Sequence, residues 1–427
     1  MRIAWFTTYG GRSAIADFSR DVVEALAADH DVELWVPEGR GRLRAPVAPI
    51  VRFTRHPHAL ARLHRADAVV YNVGNDLASH RAVLAVAGAR PGVVVLHDAV
   101  LRHLYGGLVA DRTWSTGRYL RAVALHHGPR AARAVADARA GRDLWSAVDT
   151  WERAPLVAEA LAGATGVVVH GRALEADVRA AWAGPVARLP LPAAPRPPLP
   201  EPSAGAAVVL VGLGGVTANR RIEDVVAVLA ARRDLARRVR YVVAGTLADD
   251  RYVRDLRARI ARAGLDDVVR LSGYVPDDRL DALLASAHVF VNLRHPSTEG
   301  ASASLLRQAA TGRPVVVSTG GSFRDVPGDV VAKVPPGDLD ALAATLERLV
   351  ADPTGRRRLG AAGARWAATR TPRAYADGIA AFLEETTRLA PLLALGDRVG
   401  RALAADDDAG AERSLEAAAE AIATLAG

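Results

Sequence analysis

Glu299 and Gly300 follow a largely apolar run, Val289 to Leu293, whose composition predicts a buried strand. A stretch of helical character, Ser302 to Ala310, comes after them. A carboxylate in such a loop accepts hydrogen bonds from hydroxyl groups. Gly300 lets a ligand reach the backbone, and the amide groups of the helix start face any anion lodged there. Hydroxyl acceptor and anion-binding amides together suit a sugar joined to a diphosphate. Gly312 and Pro314 end the helix, and Val315 to Ser318 predicts the next strand. This strand–loop–helix–strand unit belongs to a parallel sheet, with its loop at the carboxyl end, where open α/β sheets bind ligands.

Other residue types point to the same ligand. Asn219-Arg220-Arg221 opens a helix after a strand, where a guanidinium can hold a diphosphate bidentately with the helix dipole in support. His97 and Asp98 end the strand Gly92 to Leu96. The histidine there can bind a sugar hydroxyl, or support developing positive charge through its carbonyl. An Asp N-cap beside a satisfied histidine is the plain alternative. Gly10-Gly11 ends the first strand and either holds a phosphate or merely turns the chain. It is not a G-x-G-x-x-G fingerprint, so dinucleotide binding gains little support. His103, His126, His127 and His170 have no ligand spacing and read as structural. Of the Asp-x-Asp triplets, the one at Asp29 precedes a strand, that at Asp338 starts a helix and that at Asp406 lies in the tail; none sits at a strand end facing a cleft, so no metal site is expected. Leaving-group charge then falls to arginine and backbone amides.

The elements that carry these residues alternate. Strands are expected at Arg2–Thr8, Asp31–Val36, Ala68–Tyr71, Gly92–Leu96 and Val167–Val169, with helices at Ala14–Ala28 and about Ala173–Trp182. In the first of these helices Ile15, Phe18, Val22, Val23 and Leu26 share one face. The pattern restarts with strands at Ala207–Leu213, Tyr241–Ala244, Val268–Leu271, Val289–Leu293 and Val330–Val334. Strands alternating with helices mean parallel sheets covered on both faces. Eight of the 24 prolines fall between Pro185 and Pro202, an extended, semi-rigid boundary. The expected organisation is a Rossmann-like domain over 1–184 with a helical insertion at about 99–163, a linker over 185–204, a second Rossmann-like domain over 205–370, and C-terminal helices with an Ala/Glu-rich tail over 371–427.

Composition bounds the function. The chain of 427 residues has no cysteine, which removes disulfides, thiolate catalysis and cysteine metal sites. Lys333 is its only lysine, which excludes most Schiff-base chemistry. Apolar runs fall short of the roughly 20 residues of a membrane span. The chain leads straight into a strand, so a cytoplasmic protein without a signal peptide is expected. Residues 1–200 carry 25 arginines against 18 acidic residues, so an anionic acceptor or a peripheral membrane contact is a further expectation for that half. No arginine–aromatic pattern of a nucleic-acid module occurs.

Gly11-Arg-Ser-Ala-Ile-Ala-Asp-Phe-Ser19, Tyr71-Asn-Val-Gly-Asn75, Val94-Val-Leu-His-Asp98, Gly215-Val-Thr-Ala-Asn-Arg-Arg-Ile222, Leu271-Ser-Gly-Tyr-Val-Pro276 and Arg294 to Ser318, in this order and spacing, resemble the retaining glycosyltransferases of family 4 over about residues 1–390. The resemblance implies the GT-B fold, two Rossmann-like domains facing a central cleft. It implies metal-independent transfer of a hexosyl unit from a nucleotide-diphosphate sugar to a hydroxyl of a glycan, glycolipid or small molecule, with retention and no separate cofactor. Glu299, the first Glu of the family's Glu-x7-Glu motif, would bind hydroxyls of the donor sugar, and Gly300 to Ser302 would offer amides to sugar and phosphate. Arg220 would bind the diphosphate, and His97 would lie near the transferred sugar. Arg307 stands where the family usually has the second Glu, which holds the ribose, and Gly215 where it often has a basic residue. A non-catalytic relative that binds nucleotide sugars, or an epimerase or hydrolase on the same fold, are the alternatives.

Overall fold

A computed structural model describes residues 1–10, 13–38, 43–140, 155–200, 202, 207–247 and 249–405. Among these residues the chain builds two parallel sheets. The first takes β1 (Arg2–Phe6), β2 (Asp31–Val36), β3 (Ile50–Arg52), β4 (Ala68–Val73), β5 (Gly92–Leu96), β6 (Ala164–Val169) and β7 (Val186–Arg188) in the order β3-β2-β1-β4-β5-β6-β7. The second takes β8 (Val208–Leu213), β9 (Val239–Ala244), β10 (Val269–Gly273), β11 (Val289–Asn292), β12 (Val315–Ser318) and β13 (Ala332–Val334) in the order β10-β9-β8-β11-β12-β13. Central strands are valine-rich and buried along their whole length, as β4, β11 and β12 are, because helices cover both faces. Both orders reverse beside the domain's first strand, between β1 and β4 and between β8 and β11. A crevice opens at each reversal, where adjacent connections leave toward opposite faces.

In the first half the helices are α1 (Ala14–Leu26), α2 (Leu77–Ala87), α3 (Arg102–Ala110), α4 (Thr116–Ala140) and α5 (Arg172–Ala181). In the second they are α6 (Ile222–Ala231), α7 (Arg233–Arg238), α8 (Asp250–Arg262), α9 (Asp277–Ser286), α10 (Ala303–Ala310), α11 (Leu339–Ala351), α12 (Pro353–Ala368) and α13 (Pro372–Ala405). None of these is long and apolar enough to cross a membrane. α4 breaks at Gly128, whose φ of +84° precedes Pro129. Trp145, Trp151 and the tail from residue 406 lie outside the described residues.

Two details depart from the sequence reading, and a third goes beyond it. The stretch expected as linker from residue 185 begins with β7, an edge strand hydrogen-bonded to β6. The helix expected from Arg220 begins at Ile222. Ala218–Arg220 forms a separate 3-10 turn, and Arg221 takes a left-handed φ of +52° between the two. Its guanidinium binds Asp224 (2.8 Å) and Glu223 (3.1 Å) in the first turn of α6, and these ion pairs hold the unusual conformation in place. The last helix also returns across the molecule. Tyr375, Ile379, Phe382 and Leu383 of α13 are buried in the core that packs α1 against the first sheet. α13 lies so close to β6 that a Cβ on Gly166 would come within 2.6 Å of Thr386.

Candidate functional site

Glu299 lies in the loop after β11, at the reversal point of the second sheet. Its Oε1 meets Nη2 of Arg294 at 2.9 Å. Arg294 is only 5% exposed, and its Nε has no partner among the described residues. Its backbone N–H donates to Ser318 Oγ at the end of β12 (2.9 Å), which anchors the start of the loop. Burial lowers the proton affinity of Arg294, while Glu299 and Asp98 oppose that effect. A guanidinium stays protonated through such a shift, so the buried ion pair persists at neutral pH.

Arg220 reaches the same reversal point from the turn after β8. Its Nη1 donates to Leu213 O (2.9 Å), and Asn292 Oδ1 lies 3.5 Å away. Gly214, at φ +120°, makes this possible, because a Cβ there would stand 2.1 Å from Arg220 Nη2. Burial pushes the Arg220 guanidinium down to about 9, with repulsion from Arg294 added and attraction to Glu299 opposing. The side chain fills its own recess and leaves a cavity of about 10 Å3, room for about one water. A larger cavity, about 510 Å3, opens between the proline stretch and α12 and contains none of these residues.

The first domain presents the end of β5. Asp98 Oδ2 accepts the N–H of Asn75 (2.7 Å), and burial raises its carboxyl to about 7. The Asn75 bond and Arg294 lower that value, and the Glu299 charge raises it. The His97 ring turns inward. Nε2 faces Asn72 Oδ1 (3.0 Å), Nδ1 faces His170 Nε2 (3.3 Å), and Phe18 packs edge-on against the ring. Burial, reinforced by His170 and His80, holds His97 well below the ordinary histidine value.

Backbone hydrogen bonds join the two domains here. Gly300 N–H donates to His97 O (2.8 Å), Ala99 N–H donates to Thr298 O (2.8 Å), and Asp98 forms an isolated antiparallel bridge with Glu299. Gly300 fits because a Cβ would lie 2.9 Å from His97 O and 2.8 Å from Leu174. A second clasp lies nearby. Asp325 Oδ2 accepts the first amide of α5, Arg172 N–H (2.5 Å), so a carboxylate of one domain caps a helix of the other.

The structure thus brings Glu299, Gly300, Arg220 and His97 together and separates the rest. The Gly300 amide and the His97 carbonyl satisfy each other in this conformation. Ala301 packs against the first-domain core, and Ser302 Oγ accepts Leu305 N–H (3.3 Å) as the cap of α10. The partner of Glu299 is Arg294. Arg307 instead lies within electrostatic reach of Asp17 on α1, which also pairs with Arg44 (2.8 Å). Gly10 bridges Leu43 on the first domain, and Gly11 lies outside the described residues. Sequence reasoning passed over Arg294, Asn72 and Asp325. Arg294 carried one signal, a charged residue just after a largely apolar, buried run. Asn72 carried another, an amide inside a strand buried on both faces. Asp325 carried none. Among the described residues no three His, Asp or Glu side chains gather as metal ligands would.

Residues 207–352 match the family model described as Glycosyl transferases group 1. The chain is 40% identical over 110 residues to MMP α-(1→4)-mannosyltransferase of Mycolicibacterium hassiacum, an alignment covering 25% of this chain and 26% of that protein. It is 35% identical over 98 residues to O-antigen chain mannosyltransferase B of Escherichia coli, covering 23% and 25%. The matched stretch thus spans about a quarter of these curated relatives. Among solved structures, sucrose-phosphate synthase of Thermosynechococcus elongatus superposes with a TM-score of 0.64 at 18% identity, covering 90% of this chain and 98% of that one. HepE of Anabaena, in complex with UDP and glucose, superposes with 0.63 at 15% identity, covering 90% and 100%. These likenesses show the fold, which is GT-B.

Proposed function

We propose that the protein transfers a hexosyl unit from a nucleotide-diphosphate sugar to an acceptor hydroxyl, with retention of anomeric configuration and without a metal ion. The observation that carries this reading is the convergence of Glu299, Arg294 and Arg220 at the reversal point of the second sheet, facing His97 and Asp98 at the end of β5. The match of residues 207–352 and the mannosyltransferase relatives support it. That nucleotide sugars are the donors is supported by HepE, whose structure holds UDP and glucose.

In this mechanism Glu299 accepts hydrogen bonds from donor hydroxyls, and the buried Arg294 fixes its carboxylate. Fixing matters because an acceptor already aligned loses no reorganisation energy in the transition state. The bond from the anomeric carbon to the diphosphate oxygen breaks first, and its electron pair stays on that oxygen. Arg220 offsets the charge that develops there, on moving from its recess to the diphosphate. The acceptor oxygen then bonds to the same face of the oxocarbenium-like carbon, and its proton passes to the departing phosphate. Anomeric configuration is retained because departure and attack share one face. Gly300 donates to the donor once the His97 carbonyl releases it, and that carbonyl is then free to face the positive anomeric centre.

The test is incubation of the full chain with a panel of nucleotide sugars, with and without glycan, glycolipid and small-molecule acceptors. Transfer that depends on an acceptor and falls in Glu299→Gln is the expected result. Sugar release or isomerisation without acceptor would point to a hydrolase or epimerase. Arg307 favours one further reading, a non-catalytic relative, and tight donor binding without turnover would select it.

A further inference from the structure

Behind His97 lies a chain of hydrogen bonds whose proton count does not close. Asn72 Nδ2 donates to Phe6 O (3.0 Å), so Asn72 Oδ1 faces His97 and can only accept. His97 Nε2 must therefore carry a proton. At the far end His170 Nδ1 meets Leu189 O at 3.1 Å, and a carbonyl only accepts, so this nitrogen also carries a proton. Two neutral imidazoles then present bare lone pairs to each other at His97 Nδ1 and His170 Nε2, 3.3 Å apart. One additional proton turns that repulsion into an N–H···N hydrogen bond.

We propose that His170 is a positioning residue for His97, and that the two rings share one added proton when a diphosphate lies in the cleft. The second clause rests on the donor reading above. Several groups surround the pair. α1 contributes Phe18, α13 contributes Tyr375, β4 contributes Asn72, and α2 contributes His80, whose Nδ1 donates to Asn72 O (3.1 Å). Among the described residues the buried Tyr375 hydroxyl has no hydrogen-bond partner. From the second domain the Gly300 amide meets the His97 carbonyl, and the nearest carboxyl in sequence, Asp98, is held on Asn75. Burial pushes His170 down to about 4, with the Leu189 bond opposing. The free pair is therefore neutral at neutral pH, and its lone-pair conflict stands. An anion entering beside the β5 end stabilises the cationic form and raises its proton affinity. Donor binding then carries a proton in, so affinity increases as pH falls toward the midpoint of the free pair.

Two measurements test this. Ring-nitrogen NMR of the full chain from about pH 4 to about pH 8 follows the rings, with His97 and His170 assigned through His97→Asn and His170→Asn. The expected result is one shared midpoint for both rings in the wild type. In His170→Asn the new amide N–H satisfies His97 Nδ1, and His97 then stays neutral across the range. Two independent midpoints, or an unchanged His97 titration in His170→Asn, would overturn the positioning role. His170→Gln offers the same donor if the asparagine variant does not fold. Calorimetry of nucleotide-sugar binding in buffers of different ionisation enthalpy then counts protons. Wild type takes up as much as about one proton and His170→Asn binds with none. Binding to the wild type without proton uptake sinks the shared proton. If no nucleotide sugar binds at all, the donor reading fails, and the ring titration still decides whether His170 positions His97.

Discussion

The two walls of the cleft solve the same problem in opposite ways. Both place polar groups at the carboxyl ends of buried strands, beside a reversal in strand order. The first domain does so with uncharged groups: His97 and His80 are hydrogen-bonded to Asn72, His170 stands behind His97, and burial keeps the three histidines neutral near pH 7. The second domain does so with charge, burying Arg294 against Glu299 and placing Arg220 nearby. Burial penalises a charge far more than a hydrogen-bonded neutral group. The charged wall therefore depends on its pairs, and removing one partner there has a larger consequence. The neutral wall fixes geometry, and the charged wall supplies the field that an anionic ligand would meet.

The largest effect is expected at Glu299. Glu299→Ala removes the sugar acceptor and should lower the transfer rate by about 2–4 kcal/mol in the barrier, read as kcat/KM. It also leaves the Arg294 guanidinium buried and unpaired, at a cost of about 2–3 kcal/mol, held below the range for fully buried pairs because the Glu299 side chain is 30% exposed. Denaturant unfolding separates the two effects. The double change Arg294→Met with Glu299→Met should recover most of the stability and none of the activity. Recovery of activity would show that the carboxylate has no part in transfer.

Asp98→Asn probes the boundary between the walls. The folded-state value of Asp98 is raised to about 7 from an ordinary 3.8, so the protonated form favours the fold. That contribution is complete below pH 3.8 and is lost as pH rises through about 7. Asparagine retains the acceptor for Asn75 and removes the charge. The variant should match the wild type near pH 4 and exceed it by about 1–2 kcal/mol near pH 8, a figure discounted for the partial exposure of Asp98. Equal pH dependence of the two melting temperatures would remove the assignment. Asp325→Ala strips the cap that the second domain places on α5 and should cost about 1 kcal/mol. It should also loosen the clasp, raising amide exchange at Arg172 and Ala173. Arg307→Glu is the mildest change. It sets a carboxylate near Asp17, should alter stability by less than about 1 kcal/mol, and should strengthen nucleotide binding in a thermal-shift titration.

Much of this architecture was legible in the order of residues. Valine-rich runs broken by glycine specify parallel strands, and the loop after Val289–Asn292 marked itself through a glutamate and a glycine between strand and helix. Register-level facts were less visible. β7 hides among prolines because a three-residue edge strand needs only one neighbour and no periodicity of its own. The start of α6 was misplaced because the left-handed Arg221 depends on side-chain ion pairs that no propensity scale contains.

The sequence by itself determined which residues stand at strand ends, since alternation and burial pattern are local. It thereby selected Glu299, Arg220 and His97. Only the tertiary structure decided their partners. Arg294 on Glu299, His170 behind His97, Asp17 near Arg307 and Asp325 on α5 join residues separated by five to 290 or so positions along the chain. Such pairs form because desolvated polar groups must find partners wherever packing brings them, and the docking of one domain's strand-end loops against the other's is a property of the whole chain.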